Sequence, residues 1–132
     1  MTDSNNENKL KIFLLDDDDF LVNMYATKFA SKNVEVEVFK SGELLLEKLR
    51  GAEVKVDLML MDIVIPGLDG IATLEKIREE KLVPEVPIVM LTNQSDESDI
   101  TRTSNLGVSG YIVKAAATPS EVVDEVLKII KK

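Results

Sequence analysis

Leu58-Met59-Leu60-Met61-Asp62 runs directly into Ile63-Val64-Ile65-Pro66-Gly67-Leu68-Asp69-Gly70. An apolar run ends in a carboxylate, and Pro-Gly and Asp-Gly turn signals follow it. A run of this length bounded by turn residues predicts a strand buried on both faces. Asp62 then stands at the carboxyl end of a central strand, where open α/β sheets place their ligands. An unpaired charge buried there is costly or shifts its pKa, so Asp62 requires partners from elsewhere in the chain.

Upstream, Leu10 to Leu15 reads as a short apolar strand ending at Asp16-Asp17-Asp18-Asp19. Phe20, Leu21, Met24, Tyr25 and Phe29 share a helical face, with Asp18 or Asp19 as N-cap. Val34-Glu35-Val36-Glu37-Val38 alternates strictly, the pattern of a strand with one solvated face, which suits a sheet edge. Ser41-Gly42-Glu43 opens a second helix carrying Leu44, Leu45, Leu46 and Leu49, stopped near Gly51.

Downstream, Asp69 reads as a turn or N-cap residue, and a third helix spans about 70–81 with Ile71, Leu74 and Ile77 at helical spacing. Val86 to Thr92 is a second fully apolar strand, with Pro87 tolerated near its start. Asp96 to Leu106 is a polar helix with few anchors, mainly Ile100 and Leu106, closed by Gly107. Tyr111-Ile112-Val113 is a last strand ending at Lys114. Thr118-Pro119-Ser120-Glu121 is a capping box with Pro at the first helical position. It opens a helix with Val122, Val123, Val126, Leu127 and Ile130 facing inward.

Five strands alternating with five helices predict an α/β, doubly wound parallel sheet. If the acids after the first and third strands share a site, those strands are neighbours, which selects the order 2-1-3-4-5. Residues 1–8 read as a flexible tail and 9–132 as one domain, a length sufficient for a full hydrophobic core.

Composition narrows the chemistry. A net charge of −8 disfavours sequence-independent nucleic-acid binding, which relies on cationic neutralisation of phosphates, and disfavours anionic membrane surfaces. No apolar run approaches the roughly 20 residues of a membrane span, and no secretory signal is legible, so a cytoplasmic protein is expected. The chain has no Cys and no His. Thiolate and imidazole metal sites are therefore excluded, and so is an internal phosphohistidine. Any metal is held by oxygen.

Asp16, Asp17, Asp62, Thr92 and Lys114 all fall at carboxyl ends of strands, hence on one rim. Carboxylates crowded together raise one another's pKa unless a cation relieves them. A small set of hard oxygen ligands, with positions left for water and phosphate, describes a Mg²⁺ site, or Mn²⁺ in its place. Thr92 adds a hydroxyl donor and Lys114 a mobile point charge suited to phosphoryl oxygens. Together they form the set that phosphoryl transfer needs. Taken singly, Lys114 is an ordinary strand-end lysine, Thr92 a β-former, and Asp18 and Asp19 caps and solvated charge.

The acidic cluster, the D-x-x-x-P-G-x-D-G stretch from Asp62, Thr92 and the G-Y-I-V-K ending occur in one order over about residues 9–131. In this the chain resembles response-regulator receiver domains of two-component signalling, close in size to the stand-alone chemotaxis regulator. The resemblance implies that Asp62 is the phosphoacceptor. It implies that Asp17, Asp62, the Val64 carbonyl and, partly through water, Asp16 hold Mg²⁺, and that Thr92 and Lys114 contact the phosphoryl oxygens. The phosphoryl group would come from a sensor histidine kinase or phosphotransfer protein. Thr92 would then move toward it and Tyr111 turn inward, remodelling the face of the fourth helix, fifth strand and fifth helix. That face would bind an output protein, as a monomer or through a phosphorylation-dependent dimer. The chain would turn over no external substrate. The end at Lys132, directly after the fifth helix, leaves output to a partner or marks an excised receiver.

Four positions set this chain apart within the family pattern. Ala115 follows the lysine where a cis-proline is common, Asn93 follows Thr92 where a small residue is usual, and Val64 and Gln94 occupy the positions that tune phosphoryl lifetime. Val64 cannot orient water, so a lifetime of at least minutes is expected. The rival readings are a non-phosphorylated pseudo-receiver and a small Mg²⁺-dependent aspartyl-nucleophile phosphatase. The first is disfavoured because no acid, Thr or Lys is missing. The second is disfavoured because Val64 stands where that class carries its second acid.

Overall fold

The computed structural model describes residues 9–93 and 96–131. The expectations for the 1–8 tail and for Gln94 lie outside these residues. The chain alternates β1 (Leu10–Leu15), α1 (Asp19–Ser31), β2 (Val34–Phe39), α2 (Gly42–Leu49), β3 (Leu58–Asp62), α3 (Gly70–Glu79), β4 (Ile88–Thr92), α4 (Glu97–Asn105), β5 (Gly110–Val113) and α5 (Pro119–Ile130). A short 3₁₀ turn, Lys114–Ala116, links β5 to α5.

All four strand pairings are parallel, in the order β2-β1-β3-β4-β5. The central strand β3 and its neighbour β4 are buried at every position, as continuous apolar runs require. The alternating strand β2 takes one edge, where Lys11 reaches across from β1 to pair Glu37 at 3.0 Å. Successive side chains of β1 and β3 point to opposite faces, so the core has two halves. Phe13, Leu15, Met59 and Met61 meet Leu45, Leu46, Leu49, Leu74 and Ile77 of α2 and α3 on one side. Ile12, Leu14, Leu58 and Leu60 meet Val22, Tyr25, Phe29, Val122, Val123 and Val126 of α1 and α5 on the other.

The helix starts are set by side-chain caps. Asp18, Ser41, Asp69, Asp96 and Thr118 each accept a backbone N–H in the first turn, and Thr118 with Glu121 completes the capping box. Asp69 is thus an N-cap, bonded to the Ala72 amide at 2.8 Å.

Three apolar assignments are corrected. Phe20 is 73% exposed, because the inner stripe of α1 runs through Val22, Tyr25 and Phe29 and turns position 20 outward. Leu44 is also exposed, since Leu45, Leu46 and Leu49 already fill the inner face of α2. In α4 the buried residue is Thr103, whereas Ile100 lies at the surface. The Thr103 hydroxyl donates to the Asp99 carbonyl at 2.8 Å, and that bond lets a polar side chain be buried there.

Element ends differ slightly. Helix α3 stops at Glu79, followed by Lys81 and Val83 at positive φ, and β4 begins at Ile88, after Pro87.

Candidate functional site

The register brings the carboxyl ends of β1, β3, β4 and β5 to one rim. Leu15 pairs Met61, Asp62 pairs Leu91, and Thr92 pairs Val113. Asp16 follows β1 with its amide bonded to the Phe39 carbonyl at 3.1 Å. Lys114 follows β5 as the first residue of the 3₁₀ turn, and its bond to Ala115 is trans.

Asp16 and Asp62 are buried and Asp17 is exposed. One carboxylate oxygen from each lies within 4.8 Å of the other two. The Lys114 ammonium, whose side chain is only 8% exposed, donates to Asp62 Oδ2 at 2.7 Å and Asp16 Oδ2 at 3.1 Å. Each buried acid also closes a local turn. Asp16 Oδ1 accepts the Asp18 amide at 3.0 Å, and Asp62 Oδ1 accepts the Val64 amide at 3.2 Å. These i to i+2 bonds are Asx turns, and they fix both carboxylate planes against the backbone. Sequence reasoning considered only the Val64 carbonyl and missed its amide; the Asp-x-Val spacing alone does not announce it.

Burial pushes the Asp62 carboxyl above the usual carboxylate range and the negative Asp16 adds to this, while Lys114 and the Val64 amide pull it back. For Lys114, burial works toward a lower pKa, but the bonds and charges of Asp62 and Asp16 outweigh it and the ammonium titrates above its usual range. The site therefore binds its lysine proton firmly and holds the Asp62 negative charge reluctantly.

The donor set suits a hard divalent cation. Three carboxylates converge without nitrogen or sulfur ligands beside them, and one of the three, Asp17, faces solvent. An open cleft of about 410 Å³ exposes the cluster, lined by Asp17, Asp62, Val64, Pro66, Asn93 and Lys114 among others. The Val64 side chain is 63% exposed at its edge.

Thr92 is buried at the end of β4. Tyr111 packs its ring against the α2–α3 side of the core, and its hydroxyl oxygen is buried. Burial raises the Tyr111 pKa, with Thr92 and the Asp96 backbone near enough to restrain the rise. Among the described residues no group meets that hydroxyl in hydrogen-bond geometry.

Residues 12–127 match the sequence model of the response regulator receiver domain. ResD, a transcriptional regulatory protein of Bacillus subtilis, is 31% identical over 125 residues, covering 95% of this chain and 50% of ResD. PhoP of the same organism, the alkaline phosphatase synthesis transcriptional regulatory protein, is 32% identical over 123 residues, covering 92% of this chain and 49% of PhoP. The chain spans about half the length of the curated relatives it matches. In fold it superposes on a CheY-like receiver domain protein of Methanospirillum hungatei with a TM-score of 0.83 at 22% identity, covering 94% of this chain and 95% of that one. The chain belongs to the response-regulator receiver-domain family of two-component signalling.

Proposed function

We propose that this chain accepts a phosphoryl group on Asp62 from a sensor histidine kinase or phosphotransfer protein and passes the change to an output partner. The observation that carries this reading is the Asp62 carboxylate itself. It sits at the end of the central strand, bonded to Lys114 and the Val64 amide and converging with Asp16 and Asp17.

In the transfer, an Asp62 oxygen forms the new O–P bond as the P–N bond of the donor phosphohistidine breaks. The electron pair of the broken bond returns to the imidazole nitrogen. Lys114 neutralises the charge of the group it receives and orients it by hydrogen bonding. The Val64 amide holds the other Asp62 oxygen in place, so the nucleophile is aimed before the donor arrives. Asp16, Asp17, Asp62 and the Val64 carbonyl would hold Mg²⁺ or Mn²⁺. When bound, the ion offsets the crowded negative charge of acids and phosphoryl oxygens. Thr92, on the adjacent strand end, supplies a hydroxyl to the same group.

The output face is α4, β5 and α5. Thr92 moving toward the phosphoryl group vacates space beside the Tyr111 hydroxyl, which no group among the described residues meets in hydrogen-bond geometry, and α4 has Thr103 as its one buried residue to hold it. The acting unit is residues 9–132, in the cytoplasm, as a monomer or a phosphorylation-dependent dimer. It turns over no external substrate, and its phosphoryl group persists for at least minutes because the Val64 side chain cannot orient a water.

Incubation with Mg²⁺ and a small acyl phosphate, followed by intact-mass measurement, tests the reading. One added phosphoryl group on the wild type and none on Asp62→Asn is the expected result. No addition in Mg²⁺ turns the assignment to a pseudo-receiver, and continuous phosphate release from many esters turns it to a phosphatase.

A further inference from the structure

Gly70 is the first residue of α3, and its backbone is helical. Positive φ angles at glycine occur instead at Gly67 and Gly107. The conformational freedom of glycine is thus not what position 70 uses. Alanine is the better helix former in general, and the surroundings of position 70 show that the reason for glycine is steric.

A β-carbon on Gly70 would stand 2.0 Å from the Asp62 carbonyl oxygen, 2.8 Å from the Asp62 carbonyl carbon and 2.8 Å from the Ile63 Cα. All three are backbone atoms, which cannot swing aside as a side chain can. The Gly70 amide also donates to the Ile63 carbonyl at 2.9 Å, and the Ile63 amide donates to Leu91 of β4 at 2.9 Å. The first turn of α3 is therefore seated directly on the Asp62–Ile63 peptide, which is pinned on its other side to the sheet. Asp62 and Gly70 are the two ends of the loop that carries Val64.

We propose that Gly70 is a positioning residue for Asp62. By lacking a β-carbon, it lets α3 clamp the Asp62 backbone, which fixes the direction of the carboxylate toward Asp16 and Asp17 and the placement of Val64. This rests on the reading of Asp62 as metal ligand and phosphoacceptor. Any side chain at position 70 forces either the helix or the Asp62 peptide to shift, and a shift at the peptide is carried straight into the carboxylate.

The test compares Gly70→Ala with Gly51→Ala, a surface position where the new carbon meets only the Lys48 carbonyl, at 3.1 Å. Mg²⁺ affinity is measured by calorimetry, separately from the rate of phosphoryl uptake at saturating Mg²⁺. Gly70→Ala is expected to weaken Mg²⁺ binding about tenfold, the scale of lost support behind a metal ligand, while Gly51→Ala leaves it unchanged. Gly70→Ala that is folded and binds Mg²⁺ as the wild type does overturns the proposal. Weakened Mg²⁺ binding in a protein whose wild type takes up no phosphoryl group keeps the positioning role and removes the phosphoacceptor reading.

Should Gly70→Ala fail to fold, the wild type answers by amide NMR. The Gly70 N–H resonance is expected to shift on Mg²⁺ titration with the midpoint of the Asp62 and Val64 resonances, and a Gly70 amide that stays still while those two move overturns the proposal.

Discussion

The Lys114 ammonium lies between two buried carboxylates, 2.7 Å from Asp62 and 3.1 Å from Asp16, and holds apart charges that would otherwise face each other. Removing one partner of a buried ion pair leaves the other unpaired and costs about 3 kcal/mol or more. Lys114→Ala is therefore expected to lose about that much stability in chelator, read as a lowered urea midpoint at unchanged slope. Added Mg²⁺ should restore part of the loss, because a cation bound by the acids replaces the missing charge. Equal stability of the two proteins in chelator would contradict the ion-pair account.

The elevated Asp62 pKa fixes the sign of a pH effect. The folded state binds the Asp62 proton more tightly than the unfolded state does. This contribution therefore favours folding at acid pH and is lost as pH rises from the ordinary carboxylate pKa through the folded one. The penalty is therefore larger at neutral pH than near pH 4. In chelator, Asp62→Asn, which leaves Asp16 to pair the Lys114 ammonium, should melt higher than the wild type at pH 7, with the gap closing toward pH 4. A wild type that melts higher than the variant at neutral pH would refute this. Lys114 works in the same direction over a more alkaline range, since its raised pKa contributes stability below its ordinary value that disappears at strongly alkaline pH.

Lys81 is exposed and held at φ 57° after α3. A non-glycine residue in that region costs about 1 kcal/mol, and an exposed lysine has little packing to lose. Lys81→Gly should raise the stability by roughly that amount, measured by denaturant titration. Gly67→Ala, at φ 79° in the loop after Asp62, should lower it.

Helix α4 buries Thr103 alone, while α5 buries Val122, Val123, Val126 and Leu127. Local opening is easiest where few apolar contacts must be broken. Amides of α4 should exchange with solvent well before those of α5 at neutral pH, as followed by hydrogen-exchange mass spectrometry. Matching protection in the two helices would show that the polar ties of α4 hold it as firmly as a packed face. Those ties are the Arg78 guanidinium, bonded to the Leu106 carbonyl at 2.7 Å, and the Arg102–Glu75 pair at 3.4 Å.

The order of elements was legible because β3 and β4 are uninterrupted apolar runs, β2 alternates, and Thr118-Pro119-Ser120-Glu121 announces its own helix. The strand order followed from requiring Asp16 and Asp62 to share a rim, a chemical demand rather than a pattern. The rotation of individual helices was harder to read. Phe20 and Leu44 are as apolar as their buried neighbours, and only packing decides which of several adjacent apolar residues faces the sheet. Thr103 hides its polarity in a bond to its own helix backbone, which composition does not reveal. Of the two readings of Asp69, turn or N-cap, the structure has the cap, whereas Gly70 as a contact point against Asp62 was not legible. Steric exclusion by a distant backbone leaves no mark in local sequence.

Because α4 contributes a single side chain to the interior, its outward residues Glu97, Ser98, Thr101, Arg102, Ser104 and Asn105 answer to almost no packing requirement. Substitutions there leave the sheet and the acidic rim intact. On the output face proposed above, rewriting this one helix surface would retarget the domain without touching Asp16, Asp62 or Lys114, so that partner choice and site chemistry would vary independently within one small fold.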